Sequence, residues 1–130
     1  MRKYALLLMM LMALAACAPQ VHNLSPQAAK ELLDKKGELS LFVLNVHTPY
    51  EGKIESTDTI IEDWEHIAAH QDQLPADKQH PIFVYCRSGR MSLSAVEQLK
   101  ELGYTNIHHL DGGMRAWSAA GFPVTDKNFE

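Results

Sequence analysis

The stretch Ile82-Phe83-Val84-Tyr85-Cys86-Arg87-Ser88-Gly89-Arg90-Met91-Ser92 decides how this chain is read. Its first four residues are apolar without alternation, which at this length describes a strand buried on both faces, as in a parallel sheet. The apolar run stops at Cys86. After a short polar loop, Ala95, Val96, Leu99 and Leu102 repeat at helical spacing from Ser92 onward, and Gly103 supplies a C-terminal stop. A buried strand that turns tightly into a helix places Cys86 at a strand's carboxyl end, where open α/β sheets hold their ligands. The amides of such a loop and the positive end of the helix converge on an anion, with Gly89 giving the backbone the freedom the turn needs. Arg87 and Arg90 add positive charge beside it. All of this favours thiolate over thiol and points to nucleophilic chemistry at Cys86.

Working outward, Ser25-Pro26 reads as an N-cap followed by proline at the first helical position. The helix it opens carries Ala29, Leu32 and Leu33 on one face and is expected to close at Gly37. Leu39 to Val46 is apolar on both faces apart from Ser40 and Asn45, a second buried strand that Thr48-Pro49 ends. Thr59 to Ile61 is a brief strand, and Asp63 is expected to cap a helix carrying Trp64, Ile67 and Ala68 as far as Leu74-Pro75. Beyond Gly103, Ile107 to Leu110 reads as a strand, Asp111-Gly112-Gly113 as a turn, and Met114 to Ala120 as a helix ended by Gly121. Strands alternating with helices predict a three-layer α/β domain, with a central, mainly parallel sheet and helices on both faces.

At 130 residues the chain has room for one domain and a short appendage. The appendage is N-terminal: among the first 16 residues only Arg2 and Lys3 are polar, and the uncharged run Ala5 to Leu14 is too short to cross a bilayer core as a helix. Residues 1–16 therefore read as a signal peptide. Its end, Leu14-Ala15-Ala16-Cys17, resembles a bacterial lipobox, which implies acylation of Cys17 and cleavage before it; the alternatives are an ordinary secretory signal with an incidental Cys17, or a cut after Ala18. On the lipobox reading, residues 17–24 are the lipidated cysteine and a polar tether, 25–125 the domain and 126–130 a tail. The protein is then anchored to a membrane of the cell envelope and faces the periplasm. Ala18, standing where inner-membrane retention uses aspartate, favours the outer membrane of a Gram-negative cell. Both charged residues of the leader are positive, so without it the net charge falls from −4 to −6, which argues against nucleic acid as a partner. With Cys17 consumed, Cys86 is the sole thiol and no intramolecular disulfide can form.

Several strings together resemble the single-domain rhodanese family of sulfurtransferases: Leu44-Asn45-Val46-His47-Thr48-Pro49-Tyr50-Glu51, Tyr85-Cys86-Arg87-Ser88-Gly89, Gly103-Tyr104, Leu110-Asp111-Gly112-Gly113-Met114, Ala116-Trp117 and Gly121-Phe122-Pro123. The resemblance implies that Cys86 takes sulfane sulfur from a small anionic donor such as thiosulfate. It would hold the sulfur as a persulfide cradled by Arg87, Ser88, Gly89, Arg90, Met91 and Ser92, and pass it to a thiol or cyanide. No cofactor or metal is implied, and a monomer suffices. The chain departs from the family where Asn45-Val46-His47 replaces Asp-Val-Arg, and where Met91 replaces an arginine five residues after the cysteine. Either Arg90 substitutes at the mouth, or Met91 makes it more apolar and suits a persulfide donor. A phosphatase or arsenate reductase of the same fold needs arginine where this chain has Ser92. A non-catalytic rhodanese-like binding or sulfur-carrier module is the second reading.

The remaining polar residues carry less. His66 and His70 lie four apart on an expected helix, but Ile67 stands where a metalloprotease has glutamate, so a solvated face is expected. His108 and His109 are neighbours in a strand and must face opposite sides of it. Trp64 and Trp117 are read as core or rim aromatics, and Glu51 is given no chemistry.

Overall fold

The computed structural model describes residues 18–130. The leader and Cys17, with the proposed lipobox, lie outside the described residues. The elements in chain order are β1 (Gln20–Leu24), α1 (Pro26–Asp34), α2 (Lys36–Leu39), β2 (Phe42–Asn45), β3 (Thr59–Ile60), a 3₁₀ segment (Ile67–Gln73), β4 (Ile82–Tyr85), α3 (Arg90–Glu101), β5 (Asn106–Leu110) and α4 (Gly113–Ala119). The five strands form one sheet in the order β1-β5-β4-β2-β3, every neighbouring pair parallel. The fold is thus the three-layer α/β arrangement expected from the alternation of elements.

The central strand β4 is wholly buried because both of its faces are covered. Ile82 and Val84 join Leu44, Ile107, Ala95, Val96 and Leu99 in a core beneath α3. Phe83 and Tyr85 point the other way, into a second core with Ala29, Leu33, Val43, Met114 and Trp117 beneath α1 and α4. Cys86 continues the alternation of β4 and falls on the α3 side. Tyr85 carries its polar tip into the second core. Its hydroxyl accepts the Ile54 N–H at 2.9 Å and pairs with Thr57 Oγ1 at 2.6 Å, and burial pushes its pKa up to about 12.

Four local expectations are corrected. Residues 20–24, read as tether, form edge strand β1, in parallel register with β5 from Gln20 opposite Asn106 to Leu24 opposite Leu110. Gly37 does not end the first helix; α1 stops at Asp34, the single turn α2 follows, and Ser40 makes the reversal with φ +52°. The N-cap at Ser25 is as expected, its side chain accepting the Ala28 N–H at 3.2 Å. The helix expected after Asp63 is a 3₁₀ segment beginning at Ile67, broken at His70. Asp63 does not cap its amides, because its carboxylate is occupied by His66 Nδ1 at 2.8 Å and His70 Nε2 at 3.0 Å. These histidine contacts hold the Asp63 carboxyl below its ordinary range.

Candidate active site

The site is built from the end of β4 and the start of α3. The first amides of any helix lack intrahelical acceptors. At α3 the N-cap is Gly89, with φ +104° and no side chain to offer, so the cysteine three residues earlier supplies the acceptor. Cys86 Sγ accepts the N–H of Gly89 at 3.1 Å and that of Ser92 at 3.4 Å. Ser92 Oγ lies 3.2 Å from the sulfur, in reach as a third donor. Each of these bonds strengthens when the sulfur is an anion, and the positive end of a 12-residue helix faces the same atom.

The loop is clamped from behind by α4. Met114 N–H donates to Cys86 O and Arg115 N–H to Arg87 O, both at 2.9 Å. This close approach is why the turn needs Gly113. A Cβ there would stand 2.5 Å from the Arg87 carbonyl carbon and oxygen and 2.6 Å from Cys86 O. The Asp111-Gly112-Gly113 turn therefore acts on the site by fixing the carbonyls of the cysteine loop.

The two arginines take different positions. Arg87 turns toward Glu51, with Nη1 3.1 Å and 3.3 Å from its carboxylate oxygens. Glu51 Oε2 also meets His47 Nε2 at 2.6 Å, His47 itself being buried. Glu51, to which the sequence reading gave no role, thus neutralises Arg87 and ties the β2 loop to the cysteine loop. Asn45 braces the same turn: its Oδ1 accepts the His47 N–H at 2.9 Å and its Nδ2 donates to Gly52 O at 3.1 Å. Arg90 is exposed at the first position of α3 and makes no ion pair among the described residues. Ser88 is exposed at the loop tip, and Met91 packs partly buried against the core beneath α3.

Ser92 and the residues behind it form a buried polar chain that the sequence reading did not assemble. Ser92 Oγ lies 2.7 Å from His109 Nε2, and His109 Nδ1 lies 2.8 Å from Asn23 Oδ1. Ser92 and His109 are both essentially inaccessible to solvent. His109 and His108 do face opposite sides of β5. His108 stacks on His22 with ring centroids 4.9 Å apart, and burial, reinforced by His22, lowers its pKa to about 4. His109 was legible as inward-facing by parity, but its partner Asn23 lies on a strand that the sequence hid. Among the described residues no group of three or more His, Cys, Asp or Glu is placed to hold a metal ion, and no helix is long and apolar enough to cross a membrane.

Comparison with known proteins shows the family and the fold. Residues 25–120 match the family model for the rhodanese-like domain. Thiosulfate sulfurtransferase GlpE of Coxiella burnetii is 40% identical over 53 residues, 41% of this chain and 49% of that protein. A sulfurtransferase of Allochromatium vinosum is 34% identical over 58 residues, 45% of this chain and 52% of that one. The chain thus spans about half or less of the length of the curated relatives it matches. Among solved structures, a rhodanese-related protein of Thermoplasma volcanium superposes with a TM-score of 0.62 at 25% identity, covering 82% of this chain and 99% of that one. Since the family match embraces both cores and the whole cysteine loop, the chain belongs to the rhodanese-like domain family.

Proposed function

We propose that this chain is a sulfurtransferase working through a persulfide on Cys86. The observation that carries the reading is the pair of amide donors, Gly89 N–H and Ser92 N–H, gathered on one buried sulfur at the mouth of a helix, with the Ser92 hydroxyl in reach as a third. The thiolate attacks the outer sulfur of a small anionic donor such as thiosulfate. The sulfane-to-sulfonate S–S bond breaks, sulfite leaves with the electron pair, and Cys86 holds a terminal sulfur anion. A thiol or cyanide acceptor then attacks that outer sulfur and Cys86 departs as thiolate, so no external oxidant or reductant is needed. With Arg87 neutralised by Glu51, the exposed Arg90 is the cation that meets the donor, in place of the family arginine that Met91 has replaced.

Thiocyanate formation from thiosulfate and cyanide tests this directly. The purified chain should show parallel double-reciprocal plots, the signature of two-step covalent transfer, and Cys86→Ala should lose all turnover. Turnover that survives in Cys86→Ala removes the proposal. No turnover in the parent, together with tight binding of thiosulfate, would favour the binding-module reading.

We also propose that Cys17 is lipidated and that the domain faces the periplasm from the membrane, with the outer membrane favoured. An anchor at Cys17 leaves only Ala18 and Pro19 before β1, a reach of about 7 Å, so the sheet edge would sit against the bilayer surface. Cells fed labelled palmitate should yield a labelled, membrane-bound chain. A soluble, unlabelled product would refute the anchor.

A further inference from the structure

The buried chain Cys86–Ser92–His109–Asn23 has a hydrogen-bond polarity that can be worked out from its ends. Asn23 Oδ1 can only accept, so His109 Nδ1 carries a proton and donates it at 2.8 Å. That leaves the Nε2 lone pair free to accept from Ser92 Oγ at 2.7 Å. The hydroxyl has one proton and three acceptors in reach: His109 Nε2, Cys86 Sγ at 3.2 Å and Gly89 O at 3.2 Å. The shortest contact is to the imidazole. With the hydroxyl proton directed there, an oxygen lone pair faces the sulfur, which suits an S–H donor and not a thiolate. The serine therefore presents opposite faces to the two protonation states of Cys86, and the imidazole decides which face is shown.

We propose that His109 receives the Cys86 proton through the Ser92 hydroxyl, with Asn23 as the positioning residue that fixes the imidazole tautomer. In this step the S–H bond breaks as Ser92 Oγ gains that proton, and the original Ser92 O–H bond breaks as its proton passes to Nε2. The products are a thiolate, an unchanged serine and an imidazolium, with no change of oxidation state. The hydroxyl proton now points at the sulfur, completing the set of three donors. Burial holds the His109 pKa below the ordinary value, so at rest the ring is neutral with Nε2 open to a proton, and the imidazolium it forms is held by the thiolate on the other side of Ser92. The charged group that opposes burial is Asp111 in the turn that follows β5, and the Gly89 carbonyl acts in the same sense. From β1 the group facing the ring is the uncharged Asn23, from α3 it is Ser92, and His108 lies on the far side of the sheet.

The proposal rests on Cys86 being the reactive thiol, but its test does not need sulfur transfer. In the full chain carrying Cys17→Ser, Cys86 is the only thiol, and its thiolate is read by absorbance near 240 nm against pH. His109→Gln should lower the thiolate fraction at pH 6.5 about tenfold relative to the parent, the size of one pKa unit. Asn23→Asp keeps the ring and gives Nδ1 an anionic partner, so thiolate should persist to more acid pH, about threefold or more in proton concentration. This second variant decides the matter if His109→Gln does not fold. Parent-like titration of either folded variant overturns the relay. A titration coupled to His109 in a chain that never gains sulfur would leave the relay standing and defeat the sulfurtransferase reading. Sulfur loading with an uncoupled titration would do the reverse.

Discussion

Gly113→Ala is the substitution through which the clamp on the cysteine loop can be measured. Gly113 has φ +61°, and a methyl group there would meet backbone atoms of Arg87 and Cys86 at 2.5–2.6 Å, far inside contact distance. Backbone cannot swing aside as a flexible side chain would, so α4 must lift away from the loop. Lifting it breaks the two 2.9 Å bonds from Met114 and Arg115 to the carbonyls of Cys86 and Arg87. Two buried backbone bonds at about 1 kcal/mol each, plus about 1–2 kcal/mol for a non-glycine residue in the left-handed region, give a loss of about 3–4 kcal/mol. For a domain of this size that is a fall in melting temperature of about 12–16 °C. The same variant should alkylate Cys86 with an altered rate, since the loop amides lose their backing. Gly37→Ala is the matched control: a Cβ there meets nothing within 4 Å, and alanine in α2 should be neutral or stabilising by up to about 1 kcal/mol. If Gly113→Ala melts within about 2 °C of the parent and reacts identically, the clamp does not hold the loop.

Three further outcomes follow from single observations. Tyr85→Phe strands the buried Ile54 N–H and should cost about 1–3 kcal/mol in urea unfolding, and spectroscopic titration should find Tyr85 still protonated until about pH 12. Glu51→Gln and Arg87→Gln should be non-additive in stability by about 0.5–1 kcal/mol, modest because Arg87 is partly solvated; strict additivity would refute the ion pair as a link between the loops. His108 is neutral when folded down to about pH 4, whereas in the unfolded chain it protonates near pH 6.5, so it withdraws stability as pH falls through that window. After allowance for solvent screening the loss is about 1–2 kcal/mol, and between pH 7 and 4.5 the parent should lose about 4–8 °C more in melting temperature than His108→Gln.

What the sequence disclosed and what it hid divide along burial. β4 and α3 were legible nearly to the residue, because Ile82 to Tyr85 is apolar on both faces and Ala95, Val96 and Leu99 mark one buried stripe. Cys86 followed, since its place is set by where those two elements meet. β1 was hidden because Gln20-Val21-His22-Asn23-Leu24 lies at an exposed edge and shows neither alternation nor an apolar run; its pairing with β5 comes from backbone hydrogen bonds, which leave no mark on side-chain pattern. With β1 unread, Asn23 could not be placed beside His109. Glu51 was missed for a similar reason, as only the parallel pairing of β2 with β4 brings the loop after β2 to Arg87. Glycine is the usual left-handed residue, so the sequence points to Gly37 for a reversal that Ser40 makes, while Gly37 sits inside α2.

The most direct measurement is the intact mass of the chain after incubation with thiosulfate and removal of excess donor. The mass should rise by the weight of one sulfur atom, ~32 Da, with the gain mapping to Cys86, disappearing on addition of cyanide and absent from Cys86→Ala. A chain that gains no sulfur from thiosulfate or from a persulfide donor, or gains it equally in Cys86→Ala, would contradict sulfur transfer at this site.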